Sequence, residues 1–117
     1  MAKRAISFET VRKIGLTLPG VEESSMHGAS ALKVRGKLLA CIPVNRSAEP
    51  GSLMVRVDFE ERAALLSTAP DIYYVTDHYR PYSAVLVRLS RIDMPMLRDL
   101  LGMAHKFVTR KSGRASS

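Results

Sequence analysis

Apolar and polar residues along this chain follow two periods, and the switches between them fall at proline, glycine and aspartate. Phe8, Val11, Ile14 and Leu18 recur at helical spacing, with Ser7 in the N-cap position and Glu9 near the positive end of the helix dipole. This predicts a first helix, stopped by Pro19-Gly20. Between residues 22 and 57 the period falls to two. Glu22–Met26 reads as a polar strand ending at His27-Gly28, and Ala31–Val34 and Lys37–Ile42 flank a tight turn at Arg35-Gly36. Asn45–Ser52 is rich in turn formers and reads as a flexible loop before a cleanly alternating strand, Leu53–Val57.

Asp58 and Glu61 have capping-box spacing, and Phe59, Ala63, Leu65 and Leu66 carry a second helix to the Ala69-Pro70 break. Two further strands, Ile72–Val75 and Ala84–Leu89, are joined by the segment Thr76–Ser83. A third helix starts near Asp93 with Pro95 in its first turn, and its apolar stripe runs from Met96 to Val108. Met26, Met54, Met94, Met96 and Met103 read as gap-filling core side chains. Consecutive strands with short turns favour an antiparallel sheet with helices packed on one face, an α+β class. The expected organisation is a basic arm over residues 1–6, one domain over 7–108, and a disordered basic tail over 109–117.

Composition adds limits. A chain of 117 residues supports one hydrophobic core. The lone cysteine, Cys41, excludes an internal disulfide and lies in an apolar run, where it reads as a small hydrophobe. No apolar run reaches the length of a membrane span, and residues 1–5 lack the apolar core of a secretory signal, so a cytoplasmic protein without a membrane partner is expected. The net charge of +7 is concentrated at the ends: Lys3, Arg4, Lys106, Arg110, Lys111 and Arg114 lie there, leaving 12 basic against 11 acidic residues within 5–105. Net charge is therefore a weak pointer to nucleic acid.

Several stretches resemble the MmcQ/YjbR family. They are Leu18-Pro19-Gly20-Val21-Glu22-Glu23, Ala31-Leu32-Lys33-Val34-Arg35-Gly36-Lys37, Arg56-Val57-Asp58, and Tyr74-Val75-Thr76-Asp77-His78-Tyr79-Arg80-Pro81-Tyr82 followed by Val85-Leu86-Val87-Arg88-Leu89. The resemblance covers about residues 7–108 and implies a frataxin-like (CyaY-like) fold, a twisted antiparallel sheet flanked by helices, together with the label of a DNA-binding protein. Many relatives carry tryptophan about where Tyr82 stands; this chain has none. The frataxin likeness does not extend to iron, because the densest carboxylates are only the pairs Glu22-Glu23 and Glu60-Glu61.

Three constellations carry candidate chemistry. Strand alternation places Lys33, Arg35, Lys37, Arg56 and Arg88 on the outer sheet face or its rim, while most carboxylates fall on helices. Cations gathered on one surface suit phosphates; the competing reading is a solvated face guarded by charge. In Asp77–Tyr82, His78, Tyr79, Arg80 and Tyr82 suit stacking on a ring and binding an anion; the competing reading is a structured turn capped by Asp77. Ser24–Gly28 offers hydroxyls and His27, but no glycine-flanked nucleophile motif is present, and His27, His78 and His105 lack metal-ligand spacing. His105, near the end of the last helix, is favourably placed there as a cation.

The leading expectation is a non-enzymatic protein binding DNA weakly and without sequence selectivity. Lys33, Arg35, Lys37, Arg56, Arg80 and Arg88 would contact phosphates, and Tyr79 or Tyr82 would stack. The alternative is a pocket for a small anionic ligand near His78, Tyr79, Arg80 and Tyr82; an enzyme comes third. No cofactor or metal is expected, and a monomer is favoured. A flat basic sheet would support the first reading, and a deep apolar-walled cleft with Arg80 pointing inward the second.

Overall fold

The computed structural model describes residues 6–110. The anticipated basic arm and tail fall outside the described residues, except for Ile6 at one end and Thr109 and Arg110 at the other. Six strands form one antiparallel sheet: β1 (Val21–Met26), β2 (Ala29–Val34), β3 (Lys37–Cys41), β4 (Ser52–Arg56), β5 (Tyr73–Tyr74) and β6 (Ala84–Arg88), in the spatial order β1-β2-β3-β4-β6-β5. Three helices, α1 (Phe8–Gly15), α2 (Phe59–Thr68) and α3 (Met94–Thr109), complete the α+β fold.

Two hairpins set the first three strands. Met26 faces Ala29 and Val34 faces Lys37, so each connection has two residues, His27-Gly28 and Arg35-Gly36. All four have positive φ, from 53° to 81°, the backbone of a primed turn whose twist matches the strands it joins. β2 begins two residues earlier than the alternation suggested, because the His27-Gly28 turn closes tightly. A bulge at Leu32/Lys33 lets both Leu39 and Ala40 enter the core while Leu38 and Cys41 turn to the other face.

The core lies between one sheet face and the helices. Leu32, Val34, Leu53, Val55, Val85 and Val87 meet Leu97, Leu100, Leu101 and Ala104 of α3 and Val11 of α1. Leu65, Leu66 and Ala69 of α2 pack at the margin of the same core. Gly15 ends α1 where it approaches Leu32: a Cβ there would lie 2.5 Å from Leu32 Cδ1. The chain beyond it tightens into turns, so Leu18 reaches the core from outside the helix.

Capping differs among the helices. Asp58 Oδ1 accepts the Glu61 N–H at 2.7 Å and Asp93 Oδ1 the Met96 N–H at 2.9 Å, whereas the Ser7 side chain makes no capping bond. Thr109 closes α3 instead of opening the tail, its hydroxyl bonded to the His105 carbonyl. β5 is only two residues long, because the chain leaves the sheet at Val75 and turns on the Thr76 carbonyl, which accepts from Tyr79 and Arg80 N–H groups.

Candidate functional site

The sheet face away from the core carries the site. Its floor comes from side chains that alternate with the core set: Leu38 and Cys41 on β3, Met54 and Arg56 on β4, and Ala84 on β6. Two segments roof it, residues 42–51 between β3 and β4 and residues 75–83 between β5 and β6.

Asn45–Ser52, most of the first segment, was expected to be a flexible loop. It is instead fastened at four points, Asn45, Ser47, Glu49 and Ser52. Asn45 Oδ1 accepts the Ser47 N–H at 2.9 Å, Ser47 Oγ meets Thr76 Oγ1 at 2.9 Å, and the Glu49 N–H donates to the Tyr74 hydroxyl at 2.7 Å. That hydroxyl also bonds to the buried Ser52. Arg88 grips Glu49 through Nε at 2.9 Å and Nη2 at 2.8 Å while lying 4.4 Å over the Tyr74 ring. The guanidinium holds the Glu49 carboxyl below its ordinary range.

The second segment is held from α2. Arg62 donates to three backbone carbonyls: Nη1 to Tyr82 at 2.9 Å and Ala84 at 3.2 Å, and Nη2 to Arg80 at 3.2 Å. Desolvation, and then the nearby charge of Arg80, lower the Arg62 pKa. Tyr79 is buried beneath this segment. Burial raises its phenol pKa, and a backbone hydrogen bond at Asn45 draws it back, so Tyr79 joins the two segments.

Between them lies a cleft of about 680 Å³. Its wall includes Ile42, Pro43, Val44 and Tyr82, and Val44 and Tyr82 keep 55% and 58% of their surface in solvent. His78 stands edge-on to Tyr79 with centroids 4.7 Å apart and tilts toward Tyr82 at 6.3 Å. His27, from the β1–β2 turn, also lines the cleft, as do Asn45 and Arg56. Arg56 is aimed by Ser83, donating through Nε to its carbonyl and through Nη2 to its hydroxyl, both at 2.9 Å. Burial pushes the Cys41 thiol up to about 11, so at neutral pH it is a protonated apolar wall and a poor nucleophile.

Strand register keeps Lys33, Arg56 and Arg88 on the outer face, but two of the six expected cations, Arg80 and Arg88, are paired with carboxylates. Arg80 points away from the cleft lining to Asp77 at 3.4 Å, and Arg88 is occupied by Glu49. Lys33 stands directly across the strand pair from Glu22. Arg35 is exposed in its turn, and Lys37, at the start of β3, lines a second hollow with Arg56. Of the expected ligand loop, His78, Tyr79 and Tyr82 meet at the cleft, while Arg80 does not. Sequence reasoning missed the wall from Ile42 to Asn45 and the joining of His27 to His78. Its available signal was the apolar run Ile42-Pro43-Val44 leading into a polar loop. His105 is a link between elements, Nε2 lying 2.8 Å from the Pro19 carbonyl.

Among the described residues no group of three or more histidine, cysteine or carboxylate side chains is placed to hold a metal ion. Among those residues, no helix is long and apolar enough to cross a membrane.

No curated protein matches the sequence. The fold is similar to the crystal structure of Deinococcus radiodurans protein DR2400, with its domain DUF419, at a TM-score of 0.74. The two are 20% identical, and the match covers 96% of this chain and 85% of that one. The family model for YjbR matches residues 16–107, from the end of the first helix to the last turn of the third. On that match, the chain belongs to the YjbR family.

Proposed function

We propose that the chain is a non-enzymatic binding protein whose site is the outer-face cleft, and that its ligand is a small molecule with an apolar or aromatic body. The observation that carries this reading is a concave, largely apolar hollow with two large apolar side chains, Val44 and Tyr82, exposed at it. Apolar surface in a concavity favours a ligand that removes it from water. Its volume falls within the roughly 300–1,000 Å³ of small-molecule sites. The His78, Tyr79 and Tyr82 rings offer faces and edges to a planar group, and Arg56 takes the anion-binding role that Arg80 was expected to fill.

A second reading, sequence-independent association with DNA, is favoured by the exposed Arg35 and Lys37 on the β2–β3 hairpin. It ranks below the cleft because Arg80 and Arg88 are already paired with carboxylates. One experiment separates the two. Uncharged 2-naphthol should bind saturably, at one equivalent, followed by its own fluorescence excited at wavelengths longer than tyrosine or tryptophan absorbs. Met54→Trp, which fills the cleft floor, should weaken it at least tenfold (about 1.4 kcal/mol). The opposite outcome is no naphthol uptake together with salt-steep binding of labelled duplex DNA that Met54→Trp leaves intact; that supports the DNA reading.

A further inference from the structure

Lys37, Arg56 and Arg110 border a second hollow that begins where the cleft ends, sharing Leu38 and Arg56 with it. Phe107 and Val108, from the last turn of α3, form its apolar side. The guanidinium carbons of Arg56 and Arg110 lie 5.4 Å and 4.9 Å from the centre of the same Phe107 ring. The ring face attracts each cation, but two like charges gathered on one ring repel each other. The carboxylate beside them is Asp58, 3.8 Å from Arg110 Nη1, and its other oxygen is committed to the α2 N-cap. Arg56 spends Nε and Nη2 on Ser83, while Nη1 has no protein acceptor among the described residues. Three cations against one shared carboxylate leave two positive charges at the end of an apolar cleft.

We propose that this second hollow is an oxyanion subsite and that the ligand of the cleft is a phosphate monoester carrying an apolar or aromatic body, an inference that rests on the cleft reading above. The class follows from charge and geometry. A phosphate monoester carries about 1.5 to 2 negative charges at pH 7 and three terminal oxygens, which matches the excess charge and offers acceptors to three cationic side chains. A carboxylate brings one charge and two oxygens, so part of the repulsion would persist. Arginine suits phosphate through its fork of donors, with Lys37 adding a mobile point charge. Arg56 lines both hollows and so marks where the body ends and the phosphate begins.

Three probes of one shape test this: 2-naphthol, 2-naphthoate and 2-naphthyl phosphate, titrated against the full chain at fixed salt. The expected order is phosphate tighter than carboxylate and carboxylate tighter than alcohol, with at least tenfold between the ends. In the double variant Lys37→Gln/Arg110→Gln, two exposed positions, the ratio of phosphate to alcohol affinity should fall to within about threefold. Because the readout is a ratio within each protein, a general change in binding does not imitate the result. Equal affinities for the three probes, or a preference that survives in the double variant, overturn the subsite while the cleft stands. Failure of all three to bind overturns both.

Discussion

Cys41 shows how one side chain reports on the site. It forms part of the cleft wall, and burial moves its thiol from the ordinary 9.0 up to about 11. The thiolate is the reactive form, so near neutral pH the folded chain should react with a thiol reagent about a hundredfold more slowly than the unfolded chain. A thiol whose folded pKa is raised contributes stability that is fully present below pH 9 and is lost as pH rises toward about 11. A pH series of modification rates checks this on the chain's single cysteine. An apparent pKa near 9 in the folded state would show that the wall is open to water. Arg88 is the opposite kind of residue: the alternation put it on the outer face, and only the structure shows it spent on Glu49, which is 39 positions away.

Among the elements, those with local signals were readable in advance. Asp58 and Asp93 cap α2 and α3 through bonds spanning three residues, and Arg35-Gly36 turns the chain because both residues take positive φ. The roof of the cleft was not readable, because it is held by pairs such as Ser47–Thr76 and Glu49–Tyr74, 29 and 25 positions apart. Turn formers in residues 45–52 therefore read as mobility when they encode an anchored loop. The floor was half legible: alternation put Arg56 on the outer face, but Met54 read as a core side chain where the structure sets it in the cleft, and the bulge that turns Leu38 and Cys41 the same way breaks the alternation. Arg62 gave no signal beyond an arginine on a helix, yet it holds the 75–83 segment by two of its carbonyls, Arg80 and Tyr82, and the start of β6 by that of Ala84. On the proposed reading it is a positioning residue, acting on the cleft through the backbone that carries Tyr82. Arg62→Ala should lower stability by about 1–3 kcal/mol in urea titration, from lost charge-assisted bonds. It should also weaken 2-naphthol binding, whereas Arg62→Lys should restore stability more than binding, because one ammonium cannot reproduce the fork. Unchanged binding in the alanine variant would mean that the segment holds its shape unaided.

For the molecule as a whole, the sheet divides the labour. One face, covered by three helices, supplies the core; the other, roofed by two fastened segments, encloses the cleft. The basic ends dominate the net charge, while cations within the described body are partly neutralised by neighbours, as at Arg12 with Glu9 and Glu23, Arg80 with Asp77, and Arg88 with Glu49. Function on this account belongs to the cleft and the cationic hollow beside it rather than to a broad electrostatic face. The most direct test is a ¹⁵N chemical-shift titration of the full chain with 2-naphthyl phosphate. The account predicts shifts concentrated at residues 26–28, 37–45, 54–56, 78–84 and 107–110, with the exposed turn between residues 16 and 20 unmoved. Shifts confined to the basic ends, or spread evenly over exposed cations with the cleft silent, would contradict it.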